Sequence, residues 1–406
     1  MYLHDLALSS KQNHPAGIAV GLSGEIISQS EIESSFIWPA SDPRLEWQPT
    51  RIIESGDFSK AKLLSQSPHF NLESFLEKTK ELDVASKIIE LINHNAFQFN
   101  SKKRFRECLE WRKRIEKCCK HGKPVDILIL AFCVISNPTK RIQPTDVTLA
   151  EDVSLLHLHN ITSHIRSFYP PGATFQVISD STFYALPFGN TSVEAHNYLL
   201  KLRNRTFHLG IENSVKILDI TDYLSNHNLY FQNRFEFWRQ HFLASPVSSD
   251  LSLEEYRGWL SSMKCSLNSR RMGFSYEELM GLFGAHPDHS LVYLDDLAKI
   301  SLAEYRALKS AAADTNWENI YFPNAIRATI HTKKIPVLGL RLYPKYKLSS
   351  RLLPYHGIAL VTDSVKDGGE RMEIVHEISV VGNPRYTKVV DTDGVNQYYE
   401  ITRPLQ

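Results

Sequence analysis

The apolar run Val125-Asp-Ile-Leu-Ile-Leu-Ala-Phe132 constrains the fold more than any other part of the sequence. It is too short for a typical buried helix and nearly free of polar positions, the pattern of a strand covered on both faces in a parallel sheet. Thr148-Leu-Ala-Glu151 follows with the spacing of a capping box, which opens a helix. Leu155, Leu156, Ile161, Ile165 and Phe168 supply that helix with an apolar stripe. A Pro-Pro-Gly turn then leads into the strand Thr174–Ile178. Strand, helix and strand in this order form a βαβ unit with an expected right-handed crossover. A second capping box at Thr191/Glu194 and a third strand ending at Asp219 continue the alternation. The predicted fold class is α/β: a Rossmann-like mixed sheet flanked by helices, with a C-terminal β-rich extension.

Elsewhere the pattern is less regular. Residues 1–70 read as an N-terminal extension without assigned structure, apart from a short hairpin in Gly17–Ser28. Residues 71–406 read as one α/β domain with a helical insertion at about 230–320. Asn71 to Asn95 carries apolar residues at helical spacing, and a basic helix ends at Gly122. Capping boxes at Ser252/Glu255, Ser275/Glu278 and Ser301/Glu304 each predict a helix start. Ser290–Leu297 fits a strand or a linker. From Ile326 onward, short β-branched runs between Pro, Gly and Asp predict an antiparallel sheet or an extension of the main one.

A net charge of +1 gives no reason to expect nucleic acid or an anionic membrane as partner. No run approaches the length of a membrane span, and the N-terminus lacks the regions of a secretory signal. The five cysteines, Cys108, Cys118, Cys119, Cys133 and Cys265, do not suggest a disulfide framework, so a cytoplasmic location is expected. No metal-ligand spacing occurs and no metal is expected. Glycine-rich dinucleotide and P-loop motifs are absent, as are the serine-hydrolase elbow and the zinc-protease motif.

The candidates that remain are polar groups at strand ends. Asp180, after Ser179, stands where open α/β sheets place ligand groups, and it also fits a hydrogen-bonded turn. Arg327, Thr329 and His331 share one strand face opposite apolar Ile326, Ala328 and Ile330. With Lys333 and Arg341 nearby, that face suits a phosphate or carboxylate, or simply a solvated edge. His356 beside Gly357 is a further candidate, because glycine permits close approach and histidine titrates near neutrality. Lys140 or Arg141, after the first strand, fits an anion anchor or a solvated loop. Glu151 already has a capping task.

Together these pieces resemble the isocyanide (isonitrile) synthase family, also called the pyoverdine/dityrosine biosynthesis family, from about Val125 to the C-terminus. The resemblance rests on Ile135-Ser-Asn-Pro-Thr-Lys140, Thr148–Glu151, Tyr169-Pro-Pro-Gly-Ala173 and Ser179-Asp-Ser181. Ile326-Arg-Ala-Thr-Ile-His331 and Tyr355-His-Gly357 complete it. It implies a biosynthetic enzyme that condenses an amino acid's amine with ribulose 5-phosphate to form an isocyanide, without metal or redox cofactor. Its partners would be small molecules only. Carried over by position, Asp180 and His356 become catalytic, and Arg327, His331, Lys140, Ser179 and Arg341 bind substrate. The chain departs from the family pattern at Val134 or Ile135 (lysine), Ser181 (glycine), Leu186 (often aspartate) and Tyr355 (tryptophan). Those departures keep two alternatives open: a ligand-binding protein that lost the chemistry, and a formyl or acyl transferase acting on an amine.

Overall fold

The computed structural model describes residues 48–98, 109–134, 140–247, 251–264, 266–267, 295–330, 338–345, 352–363 and 369–402. The main sheet contains β2 (Val125–Leu130), β3 (Ala173–Ser179), β4 (Val215–Asp219), β5 (Ile326–Thr329) and β6 (Leu338–Gly339). Its order is β4-β3-β2-β5-β6 and every pairing is parallel. The chain therefore winds outward from β2 through β3 to β4, then returns to β5 on the other side of β2. The crevice outside the carboxyl ends of β2 and β5, where winding reverses, is where such sheets bind ligands. A second, mixed sheet has the order β1-β9-β10-β7-β8, from β1 (Thr50–Ile53), β7 (Ile358–Asp363), β8 (Glu370–Val375), β9 (Tyr386–Asp391) and β10 (Asn396–Ile401). The α/β class is as expected. The late β runs divide, β5 and β6 extending the main sheet and the other four building the second sheet with β1.

The N-terminal helices are α1 (Ser59–Leu64), α2 (Leu72–Lys78), α3 (Val84–Ile92) and α4 (Leu109–Lys120). The periodic stretch 71–95 is thus two helices, because Asp83 caps a new one by accepting from Ser86 N at 2.9 Å. Between β2 and β3 lies α5 (Leu149–Arg166), which packs against β3 and β4 of one sheet and β7 and β10 of the other. Held between two sheets, it buries Glu151, Asp152, Ser154 and His157 as well as its apolar residues, so a single stripe understates its burial. Its capping box is formed, and Glu151 also meets Arg141 at 2.5 Å with both side chains at most 1% exposed.

The helices α6 (Ala185–Phe188) and α7 (Ser192–His208) lead to β4, and α8 (Ile220–Leu224) follows it. The insertion before β5 consists of α9 (Asn228–Ala244), α10 (Leu253–Lys264), α11 (Asp295–Asp314) and α12 (Trp317–Tyr321). Ser252 and Glu255 form the expected box at the start of α10, whereas Ser301 and Glu304 lie inside α11 rather than at its start. Both are fully buried, and Glu304 faces Arg239 of α9 at 3.7 Å, so that motif serves helix packing. Asp295 to Leu297, expected as strand or linker, begin α11. The hairpin at 17–28, the box at Ser275/Glu278 and residues Cys108, Cys265, His331 and Lys333 lie outside the described residues. Among the described residues, Cys118, Cys119 and Cys133 are free, and no helix is long and apolar enough to cross a membrane.

Candidate active site

The buried strand β3 ends at Ser179, and the chain turns at once into Asp180-Ser-Thr-Phe-Tyr184. Tyr184 N–H donates to the Asp180 carbonyl at 2.9 Å, closing one helical turn that sets both side chains on the same side. Thr182 Oγ1 donates to Asp219 Oδ1 at 2.7 Å, tying this turn to the end of β4. Asp180 Oδ1 is sealed from solvent and has no hydrogen-bond partner. Burial pushes its carboxyl up to about 7, while its own backbone N–H, Arg327 and Cys133 pull the other way.

β2 ends at Leu130, and two residues later Phe132 has a φ of 64°, in the left-handed region disfavoured for a bulky residue. Two serines hold it there. Ser179 Oγ and Ser181 Oγ donate to the Phe132 carbonyl at 3.1 and 2.8 Å, and Val134 N–H donates to Ser181 Oγ at 2.9 Å. Asn190 Nδ2 adds a donor to the Val134 carbonyl at 2.7 Å. The turn delivers Cys133 to Asp180, its Sγ 4.0 Å from the Asp180 carbonyl oxygen. Burial, then the Asp180 charge, hold this thiol well above its usual range, so it is an inert neighbour rather than a nucleophile.

Arg327 approaches from β5 with an alternating face, since Ile326, Ala328 and Ile330 are buried while Arg327 and Thr329 are not. Its Nη1 donates to the carbonyls of Leu128 at 3.3 Å and Ala328 at 3.1 Å, and its Nε lies 3.3 Å from Glu318 Oε1. Burial lowers its pKa, opposed first by Glu318 and then by Asp180. Three tyrosines complete the surround: Tyr184, Tyr305 from α11, and Tyr355 from the turn Pro354–His356. Burial raises all three phenols, and the Asp180 charge adds to each. The arrangement is a partly desolvated carboxyl ringed by phenols, with one guanidinium in electrostatic reach.

A profile of the pyoverdine/dityrosine biosynthesis protein family matches residues 115–380, more than half of the chain. The chain belongs to that family. Among curated proteins, the L-tyrosine isonitrile synthase of Xenorhabdus nematophila is 24% identical over 268 residues, spanning 61% of this chain and 71% of that one. The L-tyrosine isonitrile synthase of Pseudomonas aeruginosa is 25% identical over 262 residues, spanning 62% and 74%. The crystal structure of the PvcA protein from Pseudomonas aeruginosa superposes with a TM-score of 0.57 at 20% identity, covering 79% of this chain and all of that one. The match of fold is therefore wider than the match of sequence.

Arg327 is within electrostatic reach of Asp180, and Ser179 precedes Asp180 as the last residue of β3. His356 follows Tyr355, the two rings meeting edge to face at 4.7 Å. The adjoining Gly357 has a different reason to be glycine than ligand approach: a Cβ there would sit 2.3 Å from the Val375 carbonyl oxygen of β8. Lys140 is buried, its Nζ 3.1 Å from Ser266 Oγ and its carbonyl accepting from Glu377 N–H. Arg141 serves the buried pair with Glu151. Arg341 grips the segment at Phe97 and Gln98, donating to both carbonyls. Sequence reasoning missed Cys133, Tyr184, Tyr305 and Glu318. Tyr184 was discoverable, standing four residues after Asp180 in a helical turn, whereas Tyr305 on a remote helix carries no local signal.

Proposed function

We propose that the chain is an isocyanide-forming biosynthetic enzyme that condenses the amine of an amino acid with ribulose 5-phosphate in the cytoplasm. The observation that carries this reading is the sealed, unpartnered Oδ1 of Asp180 at the carboxyl end of β3 in a chain of this family. An ordinary carboxylate is too weak a base to free an amine from its ammonium form at neutral pH. A carboxyl near 7 takes that proton far more readily, and once ionised it has an incoming ammonium as its natural partner. The freed amine attacks the ketone carbon, and water leaves as the imine forms. His356 is the proposed second acid–base group. Arg327, with His331 and Lys140, forms the proposed anion side for the sugar phosphate, while Ser179 acts by holding the Phe132 turn. That the names of two relatives specify L-tyrosine supports an amino acid as the amine.

The test is incubation with ribulose 5-phosphate and, in turn, L-tyrosine and L-tryptophan. The expected result is amine-dependent consumption of the sugar phosphate and an isocyanide product seen by infrared absorption or adduct mass. No consumption with any amino acid overturns the proposal, and saturable binding without turnover supports a ligand-binding protein instead.

A further inference from the structure

Three phenols converge on Asp180, but they are not equivalent. Tyr184 and Tyr355 are buried at 4% and 5% exposure, whereas Tyr305 remains partly accessible. Tyr184 and Tyr305 pack with ring centroids 4.5 Å apart, and Phe188 and Trp259 flank Tyr305 at 6.0 and 6.2 Å. The Tyr184 ring packs on Tyr305, and of the three phenols Tyr305 is the one that solvent reaches. Because Tyr184 lies one turn after Asp180, the packed ring pair ties Tyr305 to the turn that carries the Asp180 carboxyl. Arg327 is taken by the proposed anion side for the sugar phosphate, so the amino acid's carboxylate needs another donor.

An α-amino acid carries its ammonium and carboxylate on one carbon, so a site holding the first needs a donor close by for the second. We propose that Tyr305, delivered by the helical insertion, donates its phenolic hydrogen to the α-carboxylate of the substrate whose amine meets Asp180, with Tyr184 as its positioning residue. The role makes Tyr305 the group that distinguishes an amino acid from the corresponding decarboxylated amine. It rests on the proposed function, from which it also takes Asp180 as the amine's partner.

The experiment measures binding by calorimetry, independently of turnover, for L-tyrosine, L-phenylalanine and L-tryptophan against tyramine, phenethylamine and tryptamine. The wild type should prefer the amino acid of each pair. Tyr305→Phe should weaken amino-acid binding by roughly 10- to 100-fold, the effect of one hydrogen bond to a charged group, and leave the amine unchanged. Tyr184→Leu, which removes the ring packed on Tyr305, should lower the same preference by a smaller factor. Equal weakening of both members of a pair, or of neither, overturns the role of Tyr305 while leaving the proposed function intact. Failure of the wild type to bind any of the six probes overturns both. Unchanged melting of Tyr305→Phe, expected for a partly exposed ring, shows that the folded protein is being compared.

Discussion

Replacing Asp180 with Asn probes the electrostatics of the site without any substrate. Burial lifts this carboxyl from an ordinary 3.8 to about 7. A raised acid pKa means that the folded protein keeps a proton that the unfolded chain has released between those values. Stability is therefore fully present below about pH 4 and is lost as pH rises through 7. The displacement corresponds to about 4 kcal/mol at full strength, and solvent access to the partly exposed residue reduces it to roughly 2–3 kcal/mol. Asn has the shape of the protonated acid and never ionises. Wild type and Asp180→Asn should melt together near pH 4, and at pH 8.5 the variant should melt higher by roughly 2–4 °C. Fluorimetric melting from pH 4 to 8.5 reads this directly, and the same variant should form no isocyanide. An offset that does not change with pH, or a variant less stable at pH 8.5, refutes the claim that the ionised carboxylate is disfavoured in the fold. The expected pattern is that of a functional group held against the preference of the fold.

The other predictions concern the scaffold around that carboxyl. Gly357→Ala should cost about 1–3 kcal/mol or prevent soluble expression, because its Cβ meets the Val375 carbonyl at 2.3 Å; an unchanged melting temperature would contradict the close approach of β7 to β8. Arg141→Met leaves Glu151 buried without its cation and should lose about 3–5 kcal/mol in denaturant unfolding, whereas an effect below 1 kcal/mol would show that Glu151 neutralises itself. Ser181→Ala strands Val134 N–H and weakens the Phe132 turn, at a cost of about 1–3 kcal/mol and with reduced turnover. Full activity in that variant would separate the turn from the site.

Much of this architecture was legible because it depends on neighbours in the chain. Val125 to Leu130 had to be a covered strand, and Thr148 with Glu151 had to start a helix, since short-range sterics and capping decide both. Asp180 was legible as well, because a polar residue that ends a buried strand has few places to go. The failures share a cause. Ser301 and Glu304 satisfy a capping pattern, yet Arg239 from another helix takes Glu304 into a buried interface. The left-handed Phe132 breaks a run that looks like continuous strand, held by hydroxyls from residues 179 and 181.

By itself, then, the order of residues determined the βαβ frame and the position of its terminal carboxyl, both consequences of local pattern. The tertiary structure alone decided what surrounds that carboxyl. Tyr305 comes from the insertion, Tyr355 from beyond β6, and Arg327 from the strand across the reversal in winding. Desolvation acts through space, so a carboxyl that looks ordinary along the chain is pushed up to about 7 by burial among elements distant in sequence, against the pull of Arg327.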